Sequence, residues 1–200
     1  MKKITIVLFS VFFILSINTK VQAQLVSIGA GGGLTQILSP DYYKNDISDG
    51  GLGFSSGYNL GIIAKVGLPV IPITPRGFIL YHTLEGNSNA IENSQSITSV
   101  GLGVQYGFIP VPAGFDPYLS LDATFNNFGN FKGTLPSDLI AINGSRVGLQ
   151  LGVGTEVTII PLINLDVFAG YNWFNLTGKE DGEETVSAFV LDLFLMFNFL

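Results

Sequence analysis

The sequence predicts an all-β fold, an up-and-down antiparallel transmembrane β-barrel of about eight strands. Three observations lead to this prediction. The 200 residues are 47% hydrophobic and only 12% charged, yet past the N-terminus no apolar run reaches the roughly 18 residues of a membrane-spanning helix. Apolar residues instead alternate with small or polar ones along several segments. The links between these segments alternate between short apolar ones and long polar ones.

The N-terminus has the pattern of a signal peptide. Two lysines precede a mostly apolar run from Ile4 to Ile17, which is too short to span a bilayer as a permanent helix. A polar stretch then ends at the small residue Ala23, which suits cleavage. We therefore predict a signal peptide over residues 1–23, cleaved after Ala23, and an exported barrel domain over residues 24–200.

The predicted mature chain is acidic and contains no Cys. Cleavage removes three of the nine basic residues and leaves six against 15 acidic ones, a formal charge of −9. We expect no nucleic-acid partner, because phosphate binding needs clustered Lys and Arg and the chain has neither clusters nor a surplus. The lack of Cys excludes disulfides, thiolate metal sites, Cys nucleophiles and the lipid-bearing Cys of a lipoprotein.

Two segments show the strand pattern most clearly. In Ser96–Phe108 and Arg146–Ile159, apolar side chains occupy nearly every second position, with Gly or polar residues between them. Both have about the length that a tilted strand needs to cross a bilayer. The register near Phe78 to Leu84 stays open, because four consecutive apolar residues begin that segment. With the two templates, the predicted strands are Leu25–Thr35, Ser56–Leu68, Gly77–Glu85, Ser96–Phe108, Pro117–Asn126, Arg146–Ile159, Leu165–Phe174 and Thr185–Leu200.

The connections are of two kinds. Three are apolar and contain Pro, which cannot donate in a β-ladder and so marks strand ends: 68–75, 109–113 and 160–164. Four are polar and rich in Gly, Asn or acidic residues: 39–53, 86–95, 127–144 and 178–184. Their alternation predicts a barrel with periplasmic turns at one end and longer acidic loops outside.

The face opposite the apolar one predicts a narrow lumen. It is rich in Gly and poor in Lys and Glu, unlike a surface in bulk water, and Gly suits the cramped interior of a small barrel. Charged and amide residues on this face are expected to form a buried network, since a charge there without a partner is costly. The predicted network residues are Lys65, Gln105, Asp122, Arg146, Gln150, Glu156, Asp166 and Asp192. A ligand-binding or catalytic role for the same carboxylates is the alternative.

Aromatic residues near the strand ends predict two belts at the membrane interfaces. The residues expected there are Tyr58, Tyr106, Phe108, Tyr118, Tyr171, Trp173, Phe197 and Phe199. The alternative is that aromatic side chains simply favour strands.

No catalytic, cofactor or metal site is predicted. His82, the only His, lies beside Thr83, and neighbouring strand residues point to opposite faces, so the two cannot readily pair as base and nucleophile. The acidic loops lack the Ca²⁺-loop pattern. The Gly-rich stretch 29–33 begins a strand and is not followed by a helix, so it does not predict a nucleotide site.

On the signal peptide, the alternating strands, the turn asymmetry and the last strand, the chain resembles the small outer-membrane β-barrel proteins of Gram-negative bacteria, similar in plan to the OmpA-like and OmpX-like barrels. Members usually end in an aromatic residue after alternate apolar ones; Phe197 and Phe199 match, whereas Leu200 stands last. The resemblance implies an outer-membrane location, contact with outer-membrane lipid and lipopolysaccharide, and recognition by the barrel-assembly machinery. We expect a monomer.

The leading functional hypothesis is a porin-like barrel with a structural or surface-interaction role and no catalysis. Three alternatives stay open: a narrow channel or transporter for small or apolar solutes, a lipid-modifying enzyme that depends on His82, and a soluble calycin-like binder whose apolar face is inside.

Overall fold

The computed structural model describes residues 26–68, 71–88, 91–107, 114–135, 139 and 141–199. Over these residues, eight antiparallel strands follow one another around a closed barrel, and β1 pairs with β8. The strands are β1 Val26–Ser39, β2 Ser56–Val66, β3 Ile73–Ser88, β4 Ile91–Gly107, β5 Phe115–Phe128, β6 Gly144–Ile160, β7 Ile163–Thr177 and β8 Ser187–Phe199. The predicted fold class is confirmed. The described part of the chain holds no helix long and apolar enough to cross a membrane.

Side chains alternate between the two faces of the barrel wall as the period-two pattern predicts. In β8, Leu191, Leu193 and Leu195 face outward and are exposed, whereas Asp192 and Phe194 between them are buried. Outward apolar side chains surround the barrel in the same way on the other strands. The structure therefore presents its apolar face to the surroundings and keeps the Gly-rich face for the lumen.

The register of β3 is resolved by its neighbours. Phe78 and Leu80 are buried in the lumen, and Ile79 and Tyr81 face outward. Pairing of Gly77 with both Ala64 of β2 and Leu102 of β4 holds this register. A shift by one residue would expose Phe78 and Leu80 and bury Tyr81 instead.

The polar segment 86–95, predicted as a loop, is mostly strand. β3 continues to Ser88 and β4 begins at Ile91, with Glu85 opposite Ser94 and Gly86 opposite Asn93. Outward residues in this part of the hairpin, such as Glu85 and Glu92, are polar. The sequence pattern treated that polarity as a loop signal, although backbone pairing continues through it.

The short turns are described in part. β6 ends at Ile160 and β7 begins at Ile163, so the turn predicted over 160–164 is shorter than expected. β3 begins at Ile73 and includes Pro75, which the sequence assigned to a turn. The segment 109–113 lies outside the described residues, as do residues 1–23 with the predicted cleavage site. We call the end of the barrel that carries these turns the turn end, and the opposite end the loop end.

The loop end is closed by a folded first loop. It contains the short helix α1, Asp41–Lys44, and a 3₁₀ turn over Ile47–Asp49. Backbone N–H groups of Leu52 and Phe54 donate to the carbonyls of Tyr42 and Tyr43, both at 2.7 Å, and fold the loop back over the lumen. Its buried side chains join those of the strand ends in one apolar cluster, which we call the loop-end cap: Ile37, Tyr43, Leu52, Phe54, Leu84, Ile97, Phe128, Ile142, Phe174, Val186 and Ala188.

Candidate functional site

The turn-end half of the lumen holds an ion cluster that joins four strands. The ammonium of Lys65 on β2 lies 2.7 Å from Glu156 Oε1 on β6 and 2.7 Å from Asp166 Oδ2 on β7. Gln105 on β4 donates from Nε2 to the same Glu156 oxygen at 3.0 Å. Lys65 is almost fully buried, so its two carboxylate partners offset the cost of removing its charge from water. Four of the residues expected in the lumen network therefore lie together.

A second ion pair lies deeper in the lumen. Arg76 donates from Nε to Asp122 Oδ1 at 2.7 Å and from Nη2 to Asp122 Oδ2 at 2.5 Å, and Nη2 also donates to Ser120 Oγ at 3.0 Å. This two-point contact is the strongest geometry available to a guanidinium and a carboxylate. The Arg76 guanidinium also lies over the ring of Phe168, with 4.8 Å from Arg76 Cζ to the ring centre.

Arg76 was missed in the sequence because the predicted strand began after it, at Gly77. The position nevertheless has the same parity as Phe78 and Leu80, both of which face the lumen. Extending the alternation back through Pro75 would have found it, since Pro at the edge of a strand does not by itself reverse the faces.

Tyr118 was predicted at the membrane interface, and the structure corrects this. It is only 1% exposed and lies inside the lumen. Its hydroxyl donates to Asp166 Oδ1 at 2.7 Å, and the Lys65 ammonium lies 4.8 Å from its ring centre. Parity explains the correction, because Tyr118 lies on the same face of β5 as the inward Ser120 and Asp122.

The middle of the lumen contains a chain of hydrogen bonds. Asn59 donates from Nδ2 to Asp192 Oδ1 at 2.8 Å and to Thr35 Oγ1 at 3.2 Å. Thr35 Oγ1 lies 2.9 Å from His82 Nδ1, and the imidazole stacks edge-on against Phe174, 5.2 Å between ring centres. His82 is fully buried beneath the loop-end cap. Thr83, as expected from strand geometry, faces outward on the opposite side of β3.

Bulky apolar side chains fill the centre of the barrel. Phe78, Phe168 and Phe194 surround a central cavity of only about 10 Å³, which Gln150 and Asp192 also line. A space of that size accommodates about one water molecule. Gln150 and Asp192, both expected in the lumen, are thus buried beside this cavity, apart from the Lys65 cluster.

Arg146 was expected in the same lumen network, but it lies at the loop end. Its Nε donates to Glu183 Oε2 at 2.9 Å, its Nη2 contacts Glu183 Oε1, and Glu180 lies 3.4 Å away. These partners belong to the β7–β8 loop, so Arg146 binds that loop to the barrel wall. The hydrogen bonds from Arg146 hold the pKa of Glu183 below its usual value.

The loop-end cap is also tied to the wall by polar contacts that the sequence did not predict. The Tyr43 hydroxyl donates to Gln95 Oε1 at 3.1 Å, and Gln95 Nε2 donates to the carbonyl of Ile142 at 2.6 Å. Gln95 fell in the segment predicted as loop, so its inward direction was not visible. Burial raises the pKa of Tyr43, and burial with the nearby carboxylates of Glu184 and Glu183 raises that of Tyr42 to about 12.

The turn end opens into a vestibule of about 360 Å³. Its polar lining includes Lys65, Thr74, Gln105, Asp116 and Glu156. In the described part of the chain, the lumen therefore has an accessible polar chamber at the turn end, a filled centre and an apolar cap at the loop end.

Most of the predicted interface aromatics face outward. Tyr58, Tyr106, Phe197 and Phe199 are exposed, 45–53% of each residue. Tyr171 and Trp173 pack against each other on the outer face of β7, with 4.5 Å between ring centres, and the Tyr171 hydroxyl donates to Ser187 Oγ at 2.8 Å. Phe108 lies outside the described residues.

Across the described ranges, no three His, Asp or Glu side chains are grouped so as to hold a metal ion. The buried carboxylates have amide, hydroxyl, ammonium or guanidinium partners instead. Hydrogen bonds between side chains therefore fill much of the lumen. Polar atoms at the vestibule can still accept further hydrogen bonds.

Comparison with known proteins agrees with this architecture. The family model described as "Outer membrane protein beta-barrel domain" matches residues 7–199 of the chain. No curated protein matches the chain by sequence.

Several solved structures share the fold. Neisserial surface protein A has a TM-score of 0.56 and 16% identity, over 88% of this chain and 96% of that one. Ail, the attachment invasion locus protein of Yersinia pestis, solved with the heparin analogue sucrose octasulfate, has a TM-score of 0.53 and 16% identity, over 89% and 100%. OprG of Pseudomonas aeruginosa has a TM-score of 0.53 and 12% identity, over 89% and 97%. At these identities the likeness concerns the fold alone.

Proposed function

The chain belongs to the outer membrane protein beta-barrel domain family, and from that premise we propose that it is a non-catalytic barrel of the outer membrane with a structural or surface-interaction role. The observation that carries the proposal is the closed lumen. The Arg76–Asp122 ion pair and aromatic rings fill its centre, so the turn-end vestibule does not continue through the barrel, and the loop-end cap covers the other end. A barrel filled in this way offers its loops and its apolar wall, rather than its interior, to other molecules.

Access to the lumen supports a non-catalytic role. His82 and Thr35 are hydrogen-bonded and fully buried under the loop-end cap. A lipid substrate approaching the wall or the loops would not reach either side chain. A general base must lie within hydrogen-bond reach of the proton that it removes, and these two groups reach only each other and their lumen neighbours.

The loops face outward with an acidic surface. Lys44 is paired with Asp41 at 2.8 Å, and Arg146 is occupied by Glu183, while the carboxylates of Asp49 and Asp181 lie exposed on the same end. A polyanion such as the sucrose octasulfate bound to Ail would be repelled here. We therefore propose that the loops contact lipopolysaccharide through bridging divalent cations, or meet cationic partners, and do not bind sulfated sugars.

The remaining features of the proposal concern biogenesis. They comprise cleavage after Ala23, delivery to the barrel-assembly machinery through the terminal strand, and a monomeric state in the membrane. Phe197 and Phe199 on the outer face of β8 support the terminal-strand signal. Heat-dependent gel mobility of the protein from purified outer membranes, with N-terminal sequencing of the mature chain, tests membrane insertion and the cleavage site together.

The narrow-channel alternative is tested by conductance. We expect the purified protein in planar bilayers to show no single-channel steps above background, because the centre of the lumen is filled. Stable steps from the wild-type protein would overturn the structural proposal in favour of a channel. Deletion of residues 41–53, which removes α1 and most of the cap contributed by the first loop, serves as the comparison: the centre should still block conduction.

A further inference from the structure

The vestibule at the turn end has a chemistry that the closed-lumen role does not use. Its volume of about 360 Å³ lies within the range of small-molecule sites. Glu156 and Asp116 line it together with the ammonium of Lys65. We propose that this vestibule is a binding site for a protonated amine.

The first argument is an excess of negative charge. Asp116 on β5 lies directly opposite Glu156 on β6, which in turn lies opposite Asp166 on β7. Like charges directly opposite each other destabilise a sheet. Lys65 compensates Glu156 and Asp166, whereas Asp116 has no ion-pair partner among the described residues. The row therefore carries one carboxylate more than its neighbouring cation can pair.

The second argument comes from hydrogen bonds that are not made. Gln105 is only 8% exposed and lines the vestibule. Its Nε2 donates to Glu156, but its carbonyl oxygen has no hydrogen-bond partner in the described part of the chain. A buried acceptor without a donor is costly, so the Gln105 oxygen favours a ligand with an N–H group.

The two arguments define the class of ligand. The atoms of this site that can accept further hydrogen bonds are carboxylate and amide oxygens. The Lys65 ammonium is already paired with two carboxylates. An anion would meet Asp116 and Glu156 and be repelled. A metal ion is disfavoured because the described residues offer no group of three metal-ligating side chains. A primary ammonium carries three N–H donors and a positive charge, which matches these acceptors.

The experiment uses the full-length mature protein, folded in detergent micelles, with 1,5-diaminopentane as the probe in isothermal titration calorimetry. We expect saturable binding that Asp116→Asn weakens at least about tenfold, because the variant removes a charged acceptor. The matched control is Asp49→Asn, which removes an exposed carboxylate at the loop end and should leave the affinity unchanged. Neutral 1-pentanol should not compete.

Four binding results would overturn the proposal: no saturable binding to the wild-type protein, equal affinity in Asp116→Asn, an equal loss in Asp49→Asn, or displacement of the amine by Mg²⁺ at similar concentration. The last would indicate a metal site instead. Thermal unfolding separates binding from folding. Asp116→Asn should unfold at the same or a higher temperature without the amine, because the repulsion from Glu156 is gone, and should lose the rise that diaminopentane causes in the wild-type protein. A clear drop without the amine would show a structural role and would also overturn the proposal.

Discussion

The two ends of the lumen are built with different chemistry within one barrel wall. At the turn end, Lys65 and Arg76 are paired with carboxylates from β5, β6 and β7. At the loop end, Tyr43, Leu52 and Phe54 from the first loop pack against strand side chains, without an ion pair inside the apolar cluster. The contrast shows that the lumen of a narrow barrel can be blocked either by its own wall residues or by a loop folded into it. We expect mutations in the two regions to destabilise the protein in different ways.

The largest expected effect comes from removing one member of a buried ion pair in the turn-end half of the lumen. Asp122→Ala leaves the Arg76 guanidinium buried without its partner, and removal of one member of a buried pair typically costs about 3–5 kcal/mol. Urea unfolding of the protein folded in lipid vesicles measures the free energy of unfolding. The double variant Arg76→Met, Asp122→Leu removes both charges and should recover most of the loss. Equal stability of the single variant and the wild-type protein would mean that Arg76 has other support.

The second effect tests the apolar half. Phe54→Ala removes a fully buried ring from the loop-end cap, and such a change costs about 3 kcal/mol. Because the cap is a folded loop rather than part of the wall, we expect local opening: faster amide hydrogen exchange at Leu52 and in α1, with the turn-end strands still protected. Phe125→Ala, an exposed Phe on the outer face of β5, is the matched control. Uniform loss of protection in both halves would show that the two closures form one cooperative unit.

The smallest expected effect concerns the Arg146–Glu183 ion pair at the loop end. The folded-state pKa of Glu183 is lowered by Arg146, so its contribution to stability is present above the unfolded pKa and is lost as pH falls through the folded value. We expect the Arg146–Glu183 ion pair to weaken below about pH 4, by about 1 kcal/mol. Limited proteolysis of residues 178–184 across acidic pH measures it. Glu183→Gln should remove the pH dependence, whereas Asp181→Asn in the same loop should retain it.

Much of the fold could be predicted because the alternation repeats in every strand. The resemblance to outer-membrane barrels and the all-β barrel itself are confirmed. The errors occurred where polarity has two causes. Residues 86–88 and 91–95 are mostly polar, yet they pair as strand. Polar outward residues in water and polar residues in a loop have the same composition, so composition alone could not separate them.

The candidate site was only partly predictable. Lys65, Glu156 and Asp166 were expected inside from parity, and they meet there. Tyr118 was assigned to the membrane interface because an aromatic near a strand end fits a belt as well as a lumen. Arg146 was assigned inside correctly, but its partner in the β7–β8 loop could not be inferred, since loop paths have no period from which to read a direction.

The sequence by itself determined, for most strands, which side chains share a face. The reason is local: successive residues of a strand point to opposite faces, so one parity assigns a whole strand. Only the tertiary structure decided which inward residues meet. Lys65 and Glu156 are 91 positions apart and Arg76 and Asp122 are 46 apart, and their contacts depend on how strand tilt and stagger align the levels of the closed barrel. The tertiary structure also decided that the first loop folds inward as a cap, because the apolar surface that it covers exists only once the barrel is closed.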